Sequence, residues 1–116
     1  MAYKRSDRVR ALLQRELGTL ISEELRDPRI RFATVTEVRI TDDLRSARVH
    51  VSVLGDDDEA EEAMRALSDA APHIRHELGE RTDLRFVPAL TFVSDRTAER
   101  SARIARLLRE AKGERQ

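Results

Sequence analysis

A chain of 116 residues with 22 acidic, 22 basic and no cysteine residues has the length of one domain and cannot form disulfides or thiolate metal sites. Aliphatic side chains must build its core, because only three Phe and one Tyr are present. No stretch is apolar enough to predict a signal peptide or a membrane span, so we expect a cytoplasmic protein.

The balanced net charge hides an uneven distribution of charged residues. Residues 1–15 carry five basic side chains and one acidic one, whereas residues 55–62 carry six acids. Such segregation creates local potentials that a net charge of zero conceals. Of the 22 basic residues, 20 are arginine, whose planar guanidinium grips phosphate with two hydrogen bonds; codon bias would explain the same count.

The first predicted element is an amphipathic helix that ends at "RDPR", residues 26–29. Ser6 or Asp7 could accept a capping hydrogen bond at its start. Its apolar residues recur at the spacing of one helix face: Val9, Leu12, Leu13, Leu17, Leu20, Ile21 and Leu25.

Two β-rich runs follow, "FATVTEVRIT" and "SARVHVSVL", joined by the short polar turn "TDDLR". The second run alternates, which places Ala47 and three valines on one face and polar residues on the other. The first run changes phase between Val35 and Val38, and this change predicts a β-bulge. Together the two runs predict a hairpin.

The acidic run, residues 55–62, begins a helix that a proline interrupts. Apolar residues keep nearly the same helical phase before and after Pro72, from Ala60 to Leu78. Proline removes a backbone hydrogen bond and pushes Ala71 away from helical dihedrals. The sequence therefore predicts two helices separated at a kink formed by Ala70, Ala71 and Pro72.

The last two predicted elements are a strand, "LRFVPALTFV", and a C-terminal helix over about residues 97–112, followed by a tail that need not be ordered. Leu84, Phe86, Leu90 and Phe92 share one face of this strand, and Pro88 predicts that it lies at a sheet edge. Because Phe32, Phe86 and Phe92 fall in strand patterns, we assign them to the core. Stacking of single-stranded bases is then not expected.

This order of elements predicts an α+β domain, with a three-stranded mixed sheet covered on one face by helices. The strand–helix–helix–strand unit is long enough to make its two strands parallel. The arrangement is similar to a type II KH domain with an extra C-terminal helix, spanning residues 1–116 with a core at about 6–95. KH domains clamp nucleic acid with a Gly-x-x-Gly loop, and here the helix–kink–helix stands in its place.

Three segments carry a resemblance to the ribosome-binding factor A family. They are "RVRALLQRELGTLISEELRDPRI", "DLRSARVHVSVLG" and "ALSDAAPHIRHELGERTDLRFVPALTFVSD", and the resemblance covers residues from about 5 to 110. Members of this family have an Ala-x-Gly helical kink where this chain has Ala70, Ala71 and Pro72. The chain therefore departs from the family at the glycine.

The resemblance implies a bacterial factor for assembly of the small (30S) ribosomal subunit. Its ligand would be maturing 16S rRNA near the 5′-terminal helix, bound late in assembly and with a role in cold adaptation. It also implies a non-catalytic protein, with an assembly GTPase as a partner in release. We expect a monomer that needs no cofactor.

We predict RNA contacts at two places in the chain. The first is the start of helix 1, and the second lies just beyond the kink, where a helix N-terminus would face phosphate. The alternative is that Pro72 serves only packing on the sheet. The acidic run should lie away from RNA. The predicted contacts are Lys4, Arg5, Arg8, Arg10, His73, Arg75 and His76.

The sequence gives weaker support for other functions. His73, His76, Glu77 and Glu80 have helical spacing but lack a further metal ligand, and "HELGE" is not the His-Glu-x-x-His pattern of metalloproteases. The adjacent acids at 42 and 43 are more typical of a turn than of an acid–base pair. We therefore expect no enzyme and no metal site. The alternative function is a protein–protein adaptor, with the acidic run docking a basic partner and the C-terminal helix docking an apolar groove.

Overall fold

The computed structural model describes residues 4–114, so the predicted tail beyond them lies outside the described part of the chain. Its helices and strands are α1 (Arg5–Thr19), β1 (Ala33–Ile40), β2 (Ser46–Val53), α2 (Asp57–Arg81), β3 (Ala89–Ser94) and α3 (Asp95–Glu114). A π-helical turn, Leu20–Glu24, and a 3₁₀ turn, Pro28–Ile30, connect α1 to β1. Among residues 4–114, no helix is both long and apolar enough to cross a membrane.

The three strands form one mixed sheet in the order β1-β2-β3. β1 and β2 are antiparallel, with a register shift between Val35 and Glu37, and β2 and β3 are parallel. The hairpin, the bulge, the parallel pair and the edge position of the third strand are all confirmed. Pro88 stands directly before β3 and is fully buried.

Helices α1 and α2 cover the sheet, with α1 packed mainly on β1 and α2 mainly on β3. Their apolar stripes and the inward residues of the strands form one core, and full burial of each leucine or valine contributes roughly 1.5–3 kcal/mol. The predicted α+β architecture is therefore confirmed. The core's largest fully buried side chains include Leu13, Leu17, Leu20, Leu67, Ile74, Leu78, Val38, Val49 and Val51.

Helix α2 runs without interruption from Asp57 to Arg81, and Pro72 lies inside it. The prediction that Ala70, Ala71 and Pro72 separate two helices is therefore wrong. A proline inside a helix costs about 3 kcal/mol, because one backbone hydrogen bond is lost and the ring crowds the carbonyl four residues earlier. Leu67 and Ile74 are fully buried on either side of it, and burial of both outweighs that loss only if the helix keeps its phase.

The start of α1 also differs from the prediction. Lys4 is the N-cap residue, and no side chain, of Ser6 or Asp7 or any other, caps the helix. The Lys4 carbonyl accepts hydrogen bonds from the backbone N–H groups of Asp7 and Arg8, at 3.0 and 3.3 Å. Beginning the helix at Arg5 turns Ser6 and Asp7 into residues of the first turn, where they cannot act as a cap.

The aromatic side chains are more exposed than the sequence indicates. β3 begins at Ala89 rather than at Leu84, which leaves Phe86 in the preceding connection with 57% of its surface exposed. Phe32 precedes β1 and is 55% exposed. Their assignment to the core is wrong, whereas Phe92 is half-buried and packs against the core.

Helix α3 begins directly after β3, two residues earlier than predicted. Its start is held by Arg96, which donates to the Gly55 carbonyl and pairs with Asp57 at 3.0 Å, and by Arg100, which pairs with Asp57 at 2.9 Å. Farther along, its apolar residues Ile104 and Leu108 are more than half exposed. Only the first turns of α3 therefore belong to the packed domain.

Candidate nucleic-acid interface

The predicted cations at the start of α1 do not share one face. Lys4, Arg5 and Arg8 are exposed, whereas Arg10 is half-buried and its Nη1 donates to Gln14 Oε1 at 3.5 Å. At about 100° per residue, Arg5 and Arg8 are separated by about 60° around the helix, and Arg8 and Arg10 by about 160°. Lys4, Arg5 and Arg8 therefore form one flank, and Arg10 lies on the other.

The second predicted group, His73, Arg75 and His76, lies on α2, and its members differ in exposure. His73 and His76 are exposed, and His76 Nε2 lies 4.0 Å from Glu80 Oε1. Arg75 is half-buried, and its Nη2 donates to the Val87 carbonyl at 2.7 Å. Arg75 thus holds the connection between α2 and β3 in place.

The helix N-terminus predicted near His73 does not exist. In a continuous helix, the backbone N–H groups there bond to carbonyls four residues earlier and are not free to bind phosphate. Any contact of RNA with this part of α2 would have to use the exposed imidazoles of His73 and His76.

A cluster of charges joins α1 to α2 at a different place. Arg81 pairs with Glu24, donating from both terminal nitrogens, and its Nη2 also lies 3.2 Å from Glu77 Oε2. Glu16 Oε2 is 4.0 Å away. The hydrogen bond from Arg81 lowers the pKa of Glu24 below its ordinary value of 4.5, and the same bond raises the pKa of Arg81. Glu16 lies about three turns along α1 from Arg5, and Glu24 lies farther still in the π-helical turn, so this cluster does not bring the two predicted groups together.

The structure instead brings Arg5 together with Arg45 and Arg85, around a groove of about 600 Å³. Among the described residues, none of these three guanidinium groups forms an ion pair. Three unpaired guanidinium groups around a concave surface can take up phosphates. We name this feature the arginine groove.

Sequence reasoning missed Arg45 and Arg85, although a signal for them was present. Parallel pairing aligns Ser46 with Ala89, and Ala89 N donates to the Arg45 carbonyl at 2.9 Å. Two parallel neighbouring strands begin at the same end of the sheet, so the residues that precede them lie close together. The predicted parallel pair therefore implied that basic residues before both strands would approach each other.

The acidic run has structural contacts of its own. Asp56 and Glu59 form a capping box at the start of α2, in which Asp56 Oδ1 accepts from Glu59 N at 2.8 Å and Glu59 Oε1 accepts from Asp56 N at 3.2 Å. Asp57 holds the start of α3 through Arg96 and Arg100. Asp56, Asp57 and Glu59 therefore stabilise the starts of α2 and α3, whatever they do toward RNA.

The residues considered for a metal or an acid–base pair have other partners. Glu77 contacts Arg81, and Asp43 Oδ1 accepts from Thr41 Oγ1 at 2.6 Å and from Arg45 N at 3.0 Å. These two bonds lower the pKa of Asp43. Within residues 4–114, no three His, Asp or Glu side chains are grouped so that they could hold a metal ion.

Comparisons with known proteins agree on one protein family. Residues 5–108 match the profile of the family described as Ribosome-binding factor A. Ribosome-binding factor A of Desulfitobacterium hafniense is 48% identical over 114 residues, which cover 98% of this chain and 91% of the relative. The crystal structure of ribosome-binding factor A from Thermus thermophilus has a TM-score of 0.71 at 33% identity, covering 78% of this chain and 96% of that chain.

A further similar structure is a homology model of Thermus thermophilus ribosome-binding factor A, fitted into a cryo-electron-microscopy map of a 30S complex of that protein. It has a TM-score of 0.63 at 32% identity, and the match covers 74% of this chain and 90% of that chain.

Proposed function

The chain belongs to the ribosome-binding factor A family, and on this premise we propose that it binds the small ribosomal subunit during assembly. The similarity to a relative seen in a complex with the 30S subunit carries this proposal. Its ligand is maturing 16S rRNA near the 5′-terminal helix, bound late in assembly in the cytoplasm. The chain acts as a monomer and catalyses no reaction, and an assembly GTPase assists its release.

We assign the main RNA contact to one basic flank, formed by Lys4, Arg5 and Arg8 and continued by the arginine groove. Guanidinium groups bind phosphate with two hydrogen bonds and need no particular base, which suits recognition of folded rRNA by shape and backbone. Arg10, His73 and His76 are exposed or half-exposed contacts farther from this flank. Arg75 acts by holding the α2–β3 connection through Val87.

The test is co-sedimentation of the intact chain with purified immature small subunits, mature small subunits and large subunits. We expect retention on immature small subunits, weaker retention on mature ones and none on large subunits. Equal retention on all three would mean that only charge attracts the protein, and absence of binding to any small subunit would contradict the proposal.

One observation favours the adaptor as a second candidate function. Ile104, Leu107 and Leu108 on α3 are 57, 54 and 64% exposed, next to arginines at 103, 106 and 109. An apolar stripe beside basic residues fits an acidic, apolar groove on a protein. The apolar contacts of this stripe would persist at high salt, whereas RNA binding falls steeply as counterions return to the phosphates.

A further inference from the structure

The arginine groove has an apolar floor as well as a basic rim. Val9, Leu44 and Leu84 line it together with Phe86, which is 57% exposed. Its volume of about 600 Å³ lies within the roughly 300–1,000 Å³ typical of small-ligand sites. Bare phosphate would use the rim but would leave the apolar floor without a partner.

The walls of the groove are held by hydrogen bonds on both sides. In the β1–β2 turn, Asp43 accepts from the Thr41 hydroxyl and from Arg45 N, and Leu44 adopts a left-handed conformation with φ 61°. In the α2–β3 connection, the Arg75 guanidinium donates to the Val87 carbonyl, and the Thr82 hydroxyl donates to the Leu78 carbonyl at 2.6 Å. A site held in this way loses little conformational entropy when a ligand binds.

We propose that the arginine groove binds one unpaired nucleotide of RNA, with its base on Phe86 and its phosphates on Arg5, Arg45 and Arg85. Bases that are splayed out of a fold stack on aromatic rings and expose their edges, whereas bases inside an A-form helix are inaccessible in its deep groove. This inference rests on the proposed function and names the ligand class of the same basic surface.

The two carboxylates that line the groove are compatible with this ligand. Asp43 is already engaged by Thr41 and Arg45 N, so it contributes to the wall. Asp83 is exposed, and its carboxylate is an acceptor for the exocyclic amine of a base. The described lining keeps an excess of positive charge for the phosphates, with three arginines against two acids.

The experiment compares Phe86→Ala with Phe32→Ala. Phe32 is a matched control because it is 55% exposed but lies in another part of the surface, beside Leu54. Fluorescence anisotropy measures binding to a labelled single-stranded oligoribonucleotide of about ten nucleotides and to a fully paired RNA duplex. Thermal unfolding of each variant verifies that it is folded.

We expect Phe86→Ala to weaken single-strand binding by about 5- to 150-fold, the loss of one stacked base, and to leave duplex binding unchanged. Phe86→Trp should restore single-strand binding, and Phe32→Ala should bind both RNAs as the wild type does. In the wild type, addition of the single strand should shift the ring-proton resonances of Phe86 upfield by ring current from the stacked base, and should not shift those of Phe32.

Two results would overturn the nucleotide assignment. One is a Phe86→Ala variant that binds the single strand as the wild type does, even if its affinity for small subunits falls, because no base would then be stacked on Phe86. The other is an equal loss for Phe86→Ala and Phe32→Ala. A wild-type chain that binds the single strand but no small subunit would instead contradict the proposed function and leave the groove assignment standing.

Discussion

A single residue, Arg81, joins α1 to α2. Its guanidinium group faces Glu16 on α1, Glu24 in the π-helical turn and Glu77 on α2. Its hydrogen bond lowers the pKa of Glu24 below 4.5 in the folded chain. A carboxyl whose pKa is lower in the folded state stabilises the fold above its unfolded pKa, and this contribution disappears as the pH falls through the folded pKa.

We therefore expect Glu24→Gln to lower the melting temperature at neutral pH, because Arg81 loses its principal partner. The difference from the wild type should shrink as the pH falls below 4.5, where Glu24 itself becomes protonated. Thermal unfolding across this range measures the effect. Glu23→Gln is the control, because Glu23 is exposed and unpaired within the described chain. A difference that is the same in acid and at neutral pH would contradict this account.

A second prediction for single residues concerns two leucines that differ in burial. Leu67 is fully buried, whereas Leu108 is 64% exposed. Leu67→Ala should lower the free energy of unfolding by about 2–5 kcal/mol, through reduced burial and a cavity, and Leu108→Ala should change it by less than about 0.5 kcal/mol. Denaturant unfolding of both variants measures this. Similar losses at the two sites would mean that α3 packs against the domain.

At the scale of elements, Pro72 tests the continuity of α2. Since Pro72 lies inside the helix, Pro72→Ala should restore a backbone hydrogen bond to the Ser68 carbonyl and stabilise the fold by up to about 3 kcal/mol. Affinity for small subunits should not change, because no helix N-terminus begins at His73. His73→Ala, an exposed neighbour on the same helix, is the control for stability. Loss of stability in Pro72→Ala would show that the proline is needed for packing.

A further prediction distinguishes the roles of two neighbouring residues in the acidic run. Asp57 holds α3, whereas Asp58 is exposed and forms no ion pair with any described residue. Asp57→Asn should speed hydrogen exchange of the first turns of α3, because Arg96 and Arg100 lose their charged partner. Asp58→Asn should leave that exchange unchanged and raise non-specific RNA binding by relieving repulsion. Faster exchange in Asp58→Asn would show that α3 depends on the overall charge of the run.

In the molecule as a whole, the strands were predictable because the alternation of apolar and polar residues indicates which face of a sheet is buried. Val49 and Val51 follow this rule, and a parallel partner for β2 followed from the length of the crossover. The run around Phe86 was not predictable in this way, because a short apolar segment has the same pattern in a strand and in a connection. Its burial depends on where β3 begins, which tertiary contacts decide.

The two errors that matter most for function share a cause. Local preference indicated a break at Pro72 and a buried ring at Phe86, and packing of the whole domain overrode both. Likewise, Arg5, Arg45 and Arg85 are far apart in the chain. The parallel pair of strands brings Arg45 near Arg85, and packing of α1 on the sheet adds Arg5.

Binding to immature small subunits, measured over a range of salt concentrations, tests the central claim most directly. The variant Arg5→Glu, Arg8→Glu reverses the charge of the proposed flank, and Arg39→Glu, Arg48→Glu makes the same charge change on exposed, outward-facing positions of β1 and β2. We expect the first variant to bind more weakly, with a salt dependence flatter by about 0.7 to 0.9 for each phosphate that is no longer bound, and the second to bind as the wild type does. Equal affinity and equal salt dependence for wild type and both folded variants would contradict the claim that this flank binds rRNA.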